Sequence, residues 1–375
     1  MTGKSSRYVL FILSSIACVL ALQCAPEPAI KPTIKSETKT SDSTLMDLEF
    51  AKNFKVYTSS GDTIIEVTDG SRIWETKVSK LKSEGEIQFP LESLSCLSTS
   101  HLYYFSELGG LSKVSAVSYA ENLKDEEVKA ALVSGSLLDL TKGSSDYDAE
   151  LVLELNPSIF TTYPFGDDEF ERLQRAGIPT LHFTEYLETH PLGRAEWIKL
   201  AGFLLGETEK AEAYFSEVKK SYMVTKLKAL TINAKRPTVI NANGYANAWT
   251  APSGNSLVAY FIKDAGGSYV FESDTASGNL TLDFERVYDL ANSSDYWASV
   301  IFSDSVNINS FCGEEQRLAE TRVMKEGRIF YCNAEKRDYF GKGMLQPHYI
   351  LEDIYQIFNQ DVEGYKPHYF ESFRE

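Results

Sequence analysis

The chain has 375 residues, enough for two domains with separate cores, and its 43% hydrophobic and 24% charged residues are ordinary for a globular protein. Asp and Glu outnumber Lys and Arg by 53 to 37, a formal net charge of −16. That balance argues against nucleic acid as a partner, because gripping a phosphate backbone needs a basic face.

The first two dozen residues read as a targeting segment. Lys4 and Arg7 precede YVLFILSSIACVLAL (8–22), an apolar run too short for a membrane span and suited to a signal peptide, expected over residues 1–23. The run leads to Cys24 in ALQC, which resembles the lipobox of a bacterial lipoprotein, although Ala21 and Gln23 depart from the usual residues. Cys18 in SIAC is the rival acceptor, and an ordinary secretory signal would export the chain as well. Residues 24–45 hold APEPAIKPTIKSETKTSDST, rich in Pro, Thr, Ser and Lys. Such a stretch buries nothing, so it is expected to be a flexible tether that keeps a lipid-anchored body near a membrane. Of the remaining cysteines, Cys96, Cys312 and Cys332, the last two could pair in an oxidising compartment; the alternative is that all three are small buried apolar residues.

A first lobe is expected over residues 46–206. FKVYTSS-GD-TIIEVTD (54–69) places two β-rich runs around Gly61-Asp62, a hairpin signal. From residue 88 strands and helices alternate: strand SLSCLST, helix HLYYFSELGG, strand KVSAVSY, helix AELVLEL, strand SIFTTY, helix FERLQRAG and strand PTLHF. That rhythm predicts a parallel sheet covered by helices. After the helical HPLGRAEWIKLAGFLLG (190–206), a second helix follows Gly206 and is expected to join the lobes over 207–232. At about 1.5 Å per residue, its 24 residues from 207 to 230 would span about 36 Å. The rhythm resumes past Arg236-Pro237 in a second lobe, 233–375, with strand PTVINANG, helices NSLVAYFIKDAGG and DFERVYDLAN, strands WASVIFS and RIFYC, and helix HYILEDIYQIF. The expected fold class is therefore α/β: two Rossmann-like lobes with parallel-rich sheets joined by a long rigid helix.

One unit occurs in both lobes. DAELVLELNPSIFTT (148–162) and DFERVYDLANSSDYWASVIFS (283–303) each open Asp-x-Glu and run from helix to strand. Asp148 and Asp283 stand at N-cap positions, and Glu150 and Glu285 fall in the first turn, where a carboxylate favours the helix dipole.

The order and spacing of STSHLYYFSELGGLSKVSAVS (98–118), ELVLELNPSIFTTYPFG (150–166), LQRAGIPTL (173–181), GNSLVAYFIKDAGGSYVF (254–271) and LDFERVYDLANSSDYWASVIF (282–302) resemble the solute-binding proteins of ABC importers for iron complexes and cobalamin. The likeness runs from about residue 88 to 358 and leaves the hairpin and the aromatic tail EGYKPHYFESFRE outside it. It implies an extracytoplasmic binding protein without a cofactor or enzymatic activity, whose ligand is an iron chelate or, alternatively, cobalamin or haem. It also implies an ABC permease as partner, docked by one glutamate per lobe, at the positions of Glu150 and Glu285.

Ligands of open α/β sheets sit beyond the carboxyl ends of the strands, so the loops after predicted strands are the place to look. They offer Ser98, Ser100, Tyr119, Tyr163 and Phe165 in the first lobe, and Tyr245, Trp249, Arg337 and Tyr339 in the second. The aromatic faces suit a macrocycle or an aromatic chelator, and Arg337, Lys336 and Lys342 could meet ligand carboxylates or an anionic complex. Two rivals are weaker. A manganese or zinc binder would draw on His101, His182, His190, His348 and His368, but no pair has metal-ligand spacing. A secreted hydrolase finds no GxSxG, HExxH or P-loop.

Overall fold

The computed structural model describes residues 43–80, 85–144, 146–164, 170–231, 236–245, 248–276, 278–359 and 364–374. The expected signal peptide, both lipidation candidates (Cys18 and Cys24) and Phe165 lie outside them, as does nearly all of the expected tether.

The chain opens with a five-stranded sheet of β1 (Ser43–Thr44), β2 (Phe54–Ser59), β3 (Asp62–Thr68), β4 (Ile73–Ser79) and β5 (Ile87–Gln88), in that order. β2 and β3 form the expected hairpin. Ser60 (φ 53°) and Gly61 (φ 92°) make its turn, the doubly left-handed geometry that matches the strand twist. Two buried carboxylates fasten this sheet to the helices that follow it. Glu196 accepts the backbone N–H groups of Glu49, Phe50 (2.7 Å) and Ala51 (2.8 Å) and pairs with Lys199, while Glu188 accepts those of Lys52 and Asn53 and the Trp197 indole N–H. A buried charge so fully hydrogen-bonded offsets its own desolvation.

The first lobe follows: β6 (Leu94–Cys96), α1 (Thr99–Ser106), β7 (Val114–Val117), α2 (Glu126–Ser134), β8 (Leu138–Asp139), α3 (Ala149–Leu155), β9 (Phe160–Thr162), α4 (Glu171–Arg175) and β10 (Thr180–His182). Its sheet is wholly parallel, in the order β10-β9-β6-β7-β8. The direction of winding reverses at β6, which puts the switch point of the sheet at the loop entering α1. Helices α5 (Pro191–Glu196) and α6 (Ile198–Leu205) then lead into α7 (Thr208–Thr231), the long helix expected between the lobes. α7 buries Ala211, Phe215, Val218, Tyr222, Thr225 and Ala229, a single stripe at helical spacing.

The second lobe comprises β11 (Thr238–Asn241), β12 (Asn243–Tyr245), β13 (Ala248–Pro252), α8 (Leu257–Asp264), β14 (Ser268–Tyr269), β15 (Asn279–Leu282), α9 (Phe284–Ser293), β16 (Tyr296–Ile301), α10 (Arg322–Lys325), β17 (Ile329–Asn333), α11 (Pro347–Phe358) and β18 (Phe370–Ser372). Its main sheet runs β14-β11-β16-β17-β18, parallel except for β18, which lies antiparallel along β17. The aromatic tail is thus part of the sheet. Asp353 on α11 holds it there by accepting from Tyr365 Oη and from the backbone N–H groups of His368, Tyr369 and Phe370. Cys96, Cys312 and Cys332 are buried free thiols, and burial pushes Cys96 and Cys332 up to about 12.

Candidate functional site

The carboxyl ends of both parallel sheets open onto one cavity of about 230 Å³. The first lobe lines it with Thr99, which follows β6, and with Asn122 and Lys124, which follow β7. The second lobe supplies Phe302 after β16 and the turn from Ala334 to Gly341 after β17, including Glu335, Arg337 and Asp338. Two opposed sheets therefore meet at the ends where α/β folds bind ligands.

Side chains from the two lobes are bonded across this seam. Tyr103 Oη donates to Asp338 Oδ2, and Asp338 Oδ1 accepts from the backbone N–H groups of Gly341 (3.1 Å) and Lys342 (3.3 Å). Burial raises the Asp338 carboxyl above its usual range, and the Tyr103 hydrogen bond opposes that rise. Lys342 crosses to Glu107 (2.7 Å) and Asp125 (3.2 Å), and Lys124 reaches back to Glu335 (3.6 Å). Burial lowers the Lys342 ammonium, but these two carboxylates prevail and hold it above its ordinary value. Gly341 is required by proximity: a Cβ there would stand 2.5 Å from the Tyr103 ring.

The flat faces at the cleft come from two residues that the sequence reading did not single out. Phe302 and Phe340 stack at 5.9 Å with ring planes 6° apart, and they are 65% and 53% exposed. Large apolar side chains this open, at the mouth of a cavity, mark a contact surface. The available signal was position, since Phe302 ends the run WASVIF and Phe340 stands beside Tyr339.

The nominated residues fare differently. Ser98 caps α1, and Ser100 Oγ donates to Glu185 Oε1 at 2.8 Å. Tyr119 is half-buried and holds left-handed backbone (φ 58°) directly after β7. Tyr163 is half-buried against the cluster formed by Phe160, Phe170 and Leu173. The backbone of Tyr245 pairs with Ala248 in a hairpin, and its side chain lies outside the described residues. Trp249 is a core residue: it packs edge-on against Trp297 at 6.2 Å and lies over Gly244. Pairing of β13 with β15, where Trp249 stands opposite Leu282, turns that side of the strand inward. Tyr339 is likewise buried, with its ring edge-on to Phe370, and it reaches the cavity only as part of the wall. Arg337 lines the cavity while donating to Glu371 Oε2 (2.9 Å) and to the Pro367 carbonyl (3.0 Å). Lys336 is exposed, and Lys342 is committed to the seam.

Beneath the first lobe's wall lies a buried polar group. Glu185 faces Ser100 through one oxygen, and its other oxygen stands 3.7 Å from His101 Nε2, while His101 Nδ1 is 3.0 Å from Thr161 Oγ1. Burial raises Glu185 to about 7, against the Ser100 hydrogen bond and the charge of Arg194, and burial lowers His101 to about 3. A neutral imidazole beside a readily protonated carboxyl is the arrangement that leaves the fewest buried charges.

The two repeated helix starts are capped as their sequence suggests. Asp148 accepts from Leu151 N (3.0 Å) and Asp283 from Arg286 N (2.7 Å). Glu150 and Glu285 are both exposed. Glu150 is ion-paired with Arg172, whereas Glu285 borders a groove of about 320 Å³ with Phe284, Tyr288 and Arg317.

Two α/β lobes, a long helix between them and a cavity at their facing strand ends define a class III solute-binding protein. The chain belongs to the periplasmic binding protein family, whose model matches residues 94–335. Among solved structures it is similar to a periplasmic binding protein from Veillonella parvula (TM-score 0.62, 15% identity, 80% of this chain and 99% of that one). It is also similar to a periplasmic heme binding protein from Pseudomonas aeruginosa (TM-score 0.58, 17% identity, 76% and 99%). At such identities the likeness establishes the fold. Two uncharacterized lipoproteins of Methanocaldococcus jannaschii are 28% and 25% identical over 65% and 67% of this chain. The chain spans 58% and 64% of the length of those relatives.

Proposed function

We propose that the protein is a lipid-anchored extracytoplasmic receptor that captures an iron chelate in the interlobe cleft and delivers it to an ABC permease. The observation that carries this reading is the cavity itself: a stacked aromatic pair and the cations Lys124 and Arg337 converge on the strand ends of both lobes. Aromatic faces match the organic body of a chelator, while Lys124 and Arg337 are ion-paired with Glu335 and Glu371 and would exchange those partners to meet an anionic complex. Anchoring through Cys24, the lobe boundaries at 46–206, 207–232 and 233–375, and docking through Glu150 and Glu285 belong to the same proposal. The reading is supported by likeness of fold to a protein of an ABC-type Fe3+-hydroxamate transport system from Saccharomonospora viridis (TM-score 0.54, 14% identity, 72% of this chain and 93% of that one). A second reading, haem or a corrin, is favoured by the near-parallel stacking of Phe302 and Phe340, which presents a flat surface to a macrocycle.

Native mass spectrometry of protein purified from its own host, followed by thermal titration with ferric hydroxamates, haem and cobalamin, separates these readings. A cognate ligand binds only the folded state and raises the melting temperature, with the logarithm of its concentration once that exceeds Kd. An iron chelate should do so while the two macrocycles do not. A shift with haem or cobalamin alone would transfer the assignment to the second reading, and no shift with any of the three would remove both.

A further inference from the structure

The stripe of α7 opposite its buried face is apolar. Successive residues turn by about 100° on a helix, which places Met223, Leu227 and Leu230 on the side away from Phe215, Tyr222 and Ala229, with Lys220 and Val224 beside them. The four apolar side chains are 37% (Met223), 47% (Val224), 56% (Leu227) and 70% (Leu230) exposed. They are four of the ten large apolar side chains that stand exposed among the described residues, gathered into eight positions. A patch of this kind marks a surface that meets something.

Charge says what it meets. In a chain of net charge −16, residues 218–231 contain four lysines and no Asp or Glu. Lys219 and Lys226 are engaged with Glu49 and Asp264, while Lys220, exposed and 3.7 Å from Glu217, and the exposed Lys228 flank the apolar stripe. The N-terminal approach of the chain also arrives at this helix. Glu49 pairs with Lys219 at 2.7 Å, and the Phe50 ring lies 6.3 Å from that of Phe215. Glu49 lies six positions beyond Ser43, where the described chain begins, a reach of at most about 20 Å. The described chain therefore enters the body within that reach of α7.

We propose that this face of α7 is a seat for an anionic lipid surface, with Met223, Val224, Leu227 and Leu230 entering the headgroup boundary and Lys220 and Lys228 meeting lipid phosphates. A helix with apolar residues on one face and lysines at its flanks lies in the interface plane, and its hold weakens with salt. The seat lies on α7 and uses no cleft residue, so it offers a resting position distinct from permease docking. The inference draws on the anchored reading only for the direction of approach.

The test labels the full chain, with Cys18 and Cys24 replaced by serine, with an environment-sensitive fluorophore at Leu227→Cys or, as control, at Val133→Cys on the exposed face of α2; Cys96, Cys312 and Cys332 are buried. Vesicles of phosphatidylglycerol and phosphatidylcholine should shift the Leu227 label to the blue and expose it to lipid-borne quenchers, while the Val133 label stays in water. Pure phosphatidylcholine should do neither. In the unlabelled protein, Leu227→Ser/Leu230→Ser should lower partitioning onto the anionic vesicles about tenfold, and Lys220→Glu/Lys228→Glu should remove its salt dependence. Protein without a lipid should still show this dependence in sedimentation with vesicles, so a failed anchor assignment leaves the seat standing. Equal quenching of both labels would overturn the seat. So would burial of the Leu227 label without lipid, accompanied by a doubled mass, because a second copy would then cover the face.

Discussion

Two sets of acids in this molecule face opposite conditions. Glu196, Glu188 and Glu185 are buried among backbone N–H groups and hydroxyls, whereas Glu150 and Glu285 stand in water at the starts of α3 and α9. The comparison teaches that surroundings, rather than the residue, decide what a carboxylate does. A buried acid is bound to its donors and specifies structure, while an exposed one at a helix start contributes little to stability and stays accessible from solvent.

The sharpest way to break the comparison is to remove a buried member. Glu196→Ala would leave Lys199 with Glu212 (3.1 Å) as its remaining counter-charge and strand the N–H groups of residues 49–51, which Glu196 alone collects. A loss of about 3–5 kcal/mol is expected in denaturant unfolding, with the N-terminal sheet losing amide protection first. A loss below 1 kcal/mol would place Glu196 with the exposed acids.

Glu185 allows a pH test. Its folded value is raised to about 7, so between roughly pH 4.5 and 7 the folded chain holds more protons than the unfolded chain. Stability from this group is complete below the unfolded value and falls as pH rises through the folded one, by on the order of 3 kcal/mol. Glu185→Gln should flatten that part of the pH–stability curve, and a curve of unchanged slope would contradict the assignment.

Smaller effects follow at the cleft and at the starts of α3 and α9. Phe302→Ala and Phe340→Ala should each weaken ligand binding by about 1–2 kcal/mol in calorimetry while leaving unfolding nearly unchanged, since both rings are already in water. Coupled losses of stability would make them structural. Glu150→Ala and Glu285→Ala should each cost at most about 1 kcal/mol of stability and leave ligand affinity alone. Uptake should fall nonetheless, and the double variant should transport less than either single one. The two helix starts also differ from each other, because Arg172 is ion-paired with Glu150, while Glu285 borders the groove lined by Phe284, Tyr288 and Arg317. Arg172→Ala should therefore strengthen salt-sensitive docking at the first lobe only. Wild-type uptake by the double alanine variant would leave both acids as helix-start residues.

Much of this architecture could be read from the sequence because it is local. The β2–β3 hairpin, the alternation from β6 to β10, α7 and the caps Asp148 and Asp283 all follow from periodicity, turn chemistry and side-chain-to-backbone bonding within a few residues. The short α2 and β8 went unnoticed between stronger signals. The cleft was legible as a place but less so as a set of residues. Trp249 looked like a loop aromatic because the pairing of β13 with β15, some thirty residues later in the chain, is what turns its face to the core. Tyr339 and Phe340 are neighbours in an irregular turn, where no period says which one points inward. The contact of His101 with Glu185 joins residues 84 apart and leaves no mark on either segment.

The placement of β18 has a consequence for handling the protein. β17 is buried at all five positions and reads IFYCN, a run of the kind that recruits strands from other molecules when its edge is bare. Residues 370–372 occupy that edge, and the Asp353 carboxylate keeps them in place. A tag, reporter or surface linkage fused just beyond Ser372 would pull on the strand that seals the lobe. Peeling it away invites strand exchange and precipitation in a molecule whose remaining fold is sound. Fusions therefore belong on exposed loops, for example at Gly135, rather than behind the tail.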